Sequence, residues 1–220
     1  EQSFRKALEL YEKLTVACPN VSAHWQELAK VQKDLGGLQR EIGRKQESLE
    51  FLGQALAVQE RLVAEFPDVR DYQSDLTETY TTRGILFAIT GRHREAEQDF
   101  RKAAELTSDL VARFPSELQY AQALAIHRSN LGELLDELGR TSEAEDLLRQ
   151  SLDFWEQLAA REPTVRNNRS KLAVTLGTLA TCLAKTGRPL EAEEALGRVV
   201  ELRRELADEF PNYSHSRSQL

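Results

Sequence analysis

Apolar residues recur at helical spacing from one end of the chain to the other, and the pattern itself repeats with a period of 48 in the numbering. Phe4, Leu52, Phe100, Leu148 and Leu196 form one row, and Leu10, Val58, Leu106, Phe154 and Leu202 a second. Leu14, Leu62, Leu110, Leu158 and Leu206 form a third. In the alternate segments Leu28, Leu76, Leu124, Leu172 and Leu220 align in the same way. An apolar stripe of period 3.6 is the mark of an amphipathic helix, and the two-residue alternation of strands has no place in it. The expected fold class is all-α.

Proline and glycine punctuate the stripes in the same register. Pro19, Pro67, Pro115, Pro163 and Pro211 keep a constant interval of 48, as do Gly43, Gly91, Gly139 and Gly187, each glycine followed by arginine. Proline disfavours helical geometry in the residue before it, so it ends one helix. Asn20, Asp68, Ser116, Thr164 and Asn212 follow the prolines and are expected to cap the next helix by accepting an orphan N–H. Glycine enters the left-handed region at a helix C-terminus without a Cβ penalty. Two helices meeting at such a turn fold back as an antiparallel hairpin. The spacing predicts helices near 21–42 and 44–65, and the same pair shifted by 48 three times. One array is expected: 1–18 the second helix of a preceding repeat, 19–66, 67–114, 115–162 and 163–210 four repeats, and 211–220 the start of another. The chain begins at Glu1 and contains no methionine, so it reads as a segment of a longer array or of a larger protein.

Finer positions repeat as well. Glu47, Glu95, Glu143 and Glu191 fall in the first turn of the second helices, where a carboxylate favours the positive end of the dipole. Pro189 takes an early helical position, where a missing N–H does no harm. Gly36, Gly84, Gly132 and Ala180 form one small-residue column, and Ser48, Ala96, Ala144 and Ala192 another. These columns are expected where the two helices of a hairpin cross.

Leu35-Gly36 and Leu131-Gly132, a turn glycine, then Ala-x-x-x-Phe/Leu (Ala96 to Phe100, Ala144 to Leu148, Ala192 to Leu196) and a closing proline resemble the tetratricopeptide repeat (TPR). That resemblance implies a right-handed α-α superhelix, a TPR-like solenoid of antiparallel hairpins, each too small to bury its own apolar face. The family's usual unit is about 34 residues long, with a tryptophan early in its first helix. Here the period is 48 and that position holds Gln32, Tyr80, Arg128 and Leu176, so both helices are longer. The Gly-Arg turn, the Glu-Ala-Glu opening (Glu95-Ala96-Glu97) and the Glu-Phe-Pro ending (Glu65-Phe66-Pro67) are similar to arrays in large bacterial proteins, many with a eukaryotic-like serine/threonine kinase domain. HEAT-like repeats are the structural alternative.

Composition narrows the function. Charged residues make up 30% and the formal net charge is −7, with both signs interspersed. A nucleic-acid footprint needs a basic patch, so no nucleic-acid partner is expected. The longest uncharged run, 172–184, falls well short of the roughly 20 residues a helix needs to cross a bilayer, so no membrane insertion is expected. A cytoplasmic location is favoured. Cys18 and Cys182 lie more than three repeats apart and read as small core residues. His24, His93, His127 and His215 keep no metal-ligand spacing, and no phosphate-binding glycine loop occurs. No enzyme activity, catalytic residue, cofactor or metal is expected.

Binding is what remains. By helical spacing, the face of the first helices opposite the Leu-Gly stripe presents Lys30, Lys33 and Arg40 in the first repeat, and Thr81, Thr82, Ile85 and Ile89 in the second. The third repeat contributes Ser129, Asn130, Glu133, Asp136 and Glu137; the fourth contributes Thr178, Thr181 and Lys185. In the TPR class such a face lines a concave groove for an extended or helical peptide. The lysine and asparagine set with which some members clamp a C-terminal carboxylate is not matched. The expected role is a protein-interaction scaffold inside a larger bacterial regulatory protein, with a protein or peptide partner. The alternatives are that Ile85 and Ile89 are buried by a neighbouring helix, or that the array joins copies of itself or spaces other domains.

Overall fold

The computed structural model describes residues 1–210, all helix and short turns. The described residues form nine helices: α1 (Gln2–Ala17), α2 (Ser22–Glu41), α3 (Lys45–Glu65), α4 (Arg70–Ile89), α5 (His93–Arg113), α6 (Leu118–Glu137), α7 (Thr141–Arg161), α8 (Arg166–Lys185) and α9 (Pro189–Glu209). From α2 onward each bound is offset by 48 from its counterpart in the next repeat. The expected helix pairs thus form, each starting a residue late. Pro211, Asn212, His215 and Leu220 lie outside the described residues.

The turns work as their residues dictate. Gly139 has φ +78, and Gly43, Gly91 and Gly187 are also left-handed. The Arg140 N–H donates to the Leu135 carbonyl at 2.8 Å and the Gly139 N–H to Asp136 at 3.1 Å. This pair of bonds closes a helix C-terminus in the Schellman manner. The arginine after the glycine then pairs with the glutamate three residues on, Arg92 with Glu95 at 3.0 Å and Arg140 with Glu143 at 2.6 Å. The Gly-Arg register therefore joins a backbone stop to a charged start.

At the other end of each hairpin, the residue before proline leaves helical geometry, as at Phe66 (φ −132, ψ 65). The expected caps do not form there. Val21, Val69 and Val165 are the N-cap residues, and none makes a side-chain cap hydrogen bond. Cys18-Pro19-Asn20-Val21 is a reverse turn closed by the Val21 N–H donating to the Cys18 carbonyl at 3.2 Å. Asn20 and Asp68 stand at the third position of such turns, one residue too early to cap. Polar side chains farther along cover the corner instead: Trp25 and Gln73 donate to the Pro19 and Pro67 carbonyls at 2.8 and 2.7 Å.

The chain divides into two compact units, Glu1–Tyr120 and Ala121–Leu220, the boundary falling within α6. In the first unit α2 pairs with α3 and α4 with α5, α1 covers α2, α3 packs on α4, and α2 touches α4. Leu56, Leu76, Tyr80 and Ala103 form its core, with Val63 and Leu106 against them. In the second unit α8 pairs with α9 and packs on α7, burying Leu148, Trp155, Leu158, Leu172 and Leu176. The small-residue columns lie at the crossings. A Cβ on Gly84 would stand 2.7 Å from the Phe100 ring, and one on Gly132 would stand 2.9 Å from Leu148. Ser48 donates to the Gly36 carbonyl at 2.6 Å across the same crossing.

Both cysteines are free. Cys182 is buried, as a core residue should be, but Cys18 is exposed. Its counterparts Phe66 and Phe114 reach the rings of Tyr72 and Tyr120, with centroids 6.1 Å apart in each pair. Cysteine at the corner is too short to make that contact, and His24 stands where the tyrosines do.

Candidate functional site

Candidate residues lie on the first helices of each unit. In the first unit Lys30 and Lys33 are neutralised within the chain. Lys30 is half-buried, 3.6 Å from Asp75 and 3.5 Å from Glu27, and Lys33 pairs with Glu78 at 2.6 Å. Burial works against the charge on Lys30, yet Asp75 and Glu27 hold its pKa above the usual lysine value. The pairs with Asp75 and Glu78 join α2 to α4 and hold these two first helices side by side. Arg40 and Ile85 are half-buried, and Ile89 is 56% exposed. The Thr81 hydroxyl donates to the Thr77 carbonyl and that of Thr82 to Glu78, both at 2.8 Å.

In the second unit two candidates are drawn into the packing. Asp136 is 5% exposed and pairs with Lys185 at 2.7 Å, which ties α6 to α8. The Ser129 hydroxyl lies 2.8 Å from Ser151 and 3.2 Å from Thr175. Glu133 and Glu137 stay exposed, Asn130 is half-buried, and Val174 is 56% exposed. Loss of solvent, then the charge of Glu137, raises the Glu133 pKa above the usual carboxylate range. Neither carboxylate forms an ion pair among the described residues. The hydroxyls of Thr178 and Thr181 donate to Val174 and Gly177 at 3.3 and 3.2 Å. With its proton committed to the helix, a threonine offers outward only a methyl group and acceptor lone pairs. This part of the face is therefore apolar and accepting.

A polar network between α3, α4 and α5 is not foreseen from the sequence. Arg83 donates to both Asp99 oxygens at 2.7 and 2.8 Å, and the Tyr80 hydroxyl donates to Glu60 at 2.5 Å. Burial first, then the bond to Glu60, pushes the Tyr80 phenol well up. One signal could have found it. Asp99 stands in a column with Phe51, Leu147 and Ala195, and Arg83 in one with Leu35, Leu131 and Leu179. Opposite charges in two apolar columns point at one another. Among the described residues no group of three or more His, Cys, Asp or Glu is placed to hold a metal ion.

Residues 77–110 and 124–162 match models described as tetratricopeptide repeat. These two segments are similar to tetratricopeptide repeats. None of the curated proteins matches it. Among solved structures, MamA is 16% identical with a TM-score of 0.54, over 93% of this chain and 91% of that one. BtubC (BKLC) from P. vanneervenii is 15% identical with a TM-score of 0.51, over 93% of this chain and 90% of that one. The Rap conjugation gene regulator of plasmid pLS20, solved in complex with a Phr peptide, is 18% identical with a TM-score of 0.59. That match covers 98% of this chain and 53% of the regulator. At such identities the likeness is one of fold alone: all-α, of the TPR-like solenoid class.

Proposed function

We propose that the array binds a protein segment along the exposed face of its first helices, as a scaffold module within a larger bacterial regulatory protein. The observation that carries this reading is the character of the face. Ile89 in the first unit and Val174 in the second each stand 56% exposed. Threonines with committed hydroxyls flank them, and Glu133 and Glu137 lack ion-pair partners among the described residues. An apolar group suits the first unit's part, and an apolar group with a basic residue beside it suits the second's. The Rap regulator, similar to this chain in fold, is solved in complex with a peptide, which supports the reading. A preformed face reduces the ordering cost on the protein's side of the complex. A cytoplasmic setting belongs to the same proposal; no helix among the described residues is long and apolar enough to cross a membrane.

A second reading is self-association, in which another copy of the chain covers Ile89, which is 56% exposed. Two measurements separate the readings. Purified protein studied by light scattering should be monomeric under the first and a concentration-dependent oligomer under the second. A partner captured by the wild-type chain should be lost with Ile89→Asp at every salt concentration, since apolar burial is not screened as exposed charges are. Capture by Ile89→Asp and Val174→Asp that equals wild type would overturn the binding face.

A further inference from the structure

On the side of α8 turned away from Val174, Thr178 and Thr181, a pocket of about 170 Å³ lies between α7, α8 and α9. Leu152, Leu176, Leu179, Leu183 and Ala195 form its floor, each no more than 8% exposed. Arg149, Arg198, Glu191 and Glu194 ring its mouth. The pocket is distinct from the face proposed above; a loose ion pair from Arg149 to Glu191, 3.9 Å, spans its mouth, and none crosses its floor.

Its origin is legible in the repeat register. Two repeats earlier, the positions of Leu176, Leu179, Ala195 and Arg198 hold Tyr80, Arg83, Asp99 and Lys102. There the space is filled: Arg83 grips Asp99 and lies over the Tyr80 ring at 5.8 Å, and Lys102 donates to the Tyr80 hydroxyl at 3.3 Å. The Asp99–Arg83 contact shows where a side chain in this column points, namely at the position of Leu179. In the other repeats the column holds Phe51 and Leu147. Only Ala195 withholds a large side chain, and an unfilled apolar space remains.

An aliphatic cavity of about 150 Å³ takes a benzene-sized guest and otherwise stays dry. We propose that this pocket seats one leucine or phenylalanine side chain from a partner protein, with a lysine or arginine beside it meeting Glu194. The chain names the apolar group itself, by using phenylalanine and leucine at the equivalent positions. The rim names the charge. Arg149 is held by Glu145 at 2.7 Å, Arg198 by Glu156 at 2.5 Å, and Glu191 by Arg188. Glu194 has no ion pair among the described residues. An apolar floor ringed by polar side chains is the arrangement of an anchor pocket, where a few residues carry most of the binding energy.

The test titrates capped dipeptides, N-acetyl-Phe-Lys-amide and N-acetyl-Phe-Glu-amide, into the full chain with methyl-labelled leucine, read by NMR. Saturable shifts are expected at the methyls of Leu152, Leu176, Leu179 and Leu183, with the lysine dipeptide bound about threefold more tightly, as an exposed ion pair allows. Glu194→Gln should remove that preference, and Ala195→Leu, which supplies the missing side chain internally, should remove the shifts. Ile89→Asp should leave both unchanged, which keeps this pocket separate from the first-helix face. If Ala195→Leu fails to fold by circular dichroism, Ala195→Val takes its place. Absence of saturable shifts in the wild type, their survival in the filled variant, or equal binding of the two dipeptides overturns the proposal.

Discussion

Replacing Gly84 by alanine should destabilise the protein even though it improves the helix. Alanine exceeds glycine in helix propensity by about 1 kcal/mol, and that gain applies anywhere in a helix interior. At Gly84 it meets an obstacle. The new Cβ would lie 2.7 and 2.8 Å from two atoms of the Phe100 ring, which is 2% exposed and cannot swing away. Overpacking of this kind costs about 1–3 kcal/mol, so the net change is a loss of up to about 2 kcal/mol. Gly37, on α2 of the same unit, has nothing within 4 Å of its would-be Cβ, so Gly37→Ala should show the propensity gain alone. The difference between the two variants isolates the crossing and should reach about 1–3 kcal/mol, several degrees in Tm for a chain of this size. Urea unfolding followed by both circular dichroism and tryptophan fluorescence is the assay, because repeat arrays can lose two-state behaviour. Trp25 reports on the first unit and Trp155 on the second. If Gly84→Ala gains as much stability as Gly37→Ala, the close approach of α4 and α5 does not limit packing and the reasoning fails.

Further outcomes follow from the polar contacts. Asp99→Ala should cost about 3 kcal/mol, since it strands Arg83 partly buried; the double variant Arg83→Leu, Asp99→Ala, which copies Leu179 and Ala195, should regain most of that loss in a double-mutant cycle. In the native chain Cys18 should react with a thiol reagent at pH 8 and Cys182 should not. Burial, with Asp136 close by, pushes the Cys182 thiol up to about 12, and two fast-reacting thiols would contradict this. For Glu145, burial opposes ionisation but the bonds from Arg188 and Arg149 prevail, and its pKa is lowered below the usual 4.5. Glu191 is lowered too, chiefly by Arg188. A folded pKa below the unfolded one means stability that is present above about pH 4.5 and lost as pH falls through the folded value. Arg188→Ala should therefore flatten the pH dependence of the urea midpoint below about pH 5, and an unchanged slope would count against the pairing.

What the sequence determined by itself is everything that a local, repeated signal can carry. Gly139 stops a helix because its own φ must be positive, proline bends the residue before it, and a stripe of period 3.6 makes a helix wherever it occurs. Such constraints act within a few residues and recur every 48, so helix bounds, hairpins and the small-residue crossings are legible in the sequence alone. Only the tertiary structure decided how side chains on different helices meet. Lys33 read as an open charge until α4 brought Glu78 to 2.6 Å, and Asp136 read as part of a surface until α8 covered it with Lys185. Asn20 read as a cap, although a shift of one residue places it in the reverse turn. The hollow at Ala195 exists only because Leu152, Leu176 and Leu179 converge on it from two other helices. Helical spacing tells which way a side chain points; what it meets depends on neighbours a whole repeat away, at distances that no local pattern encodes.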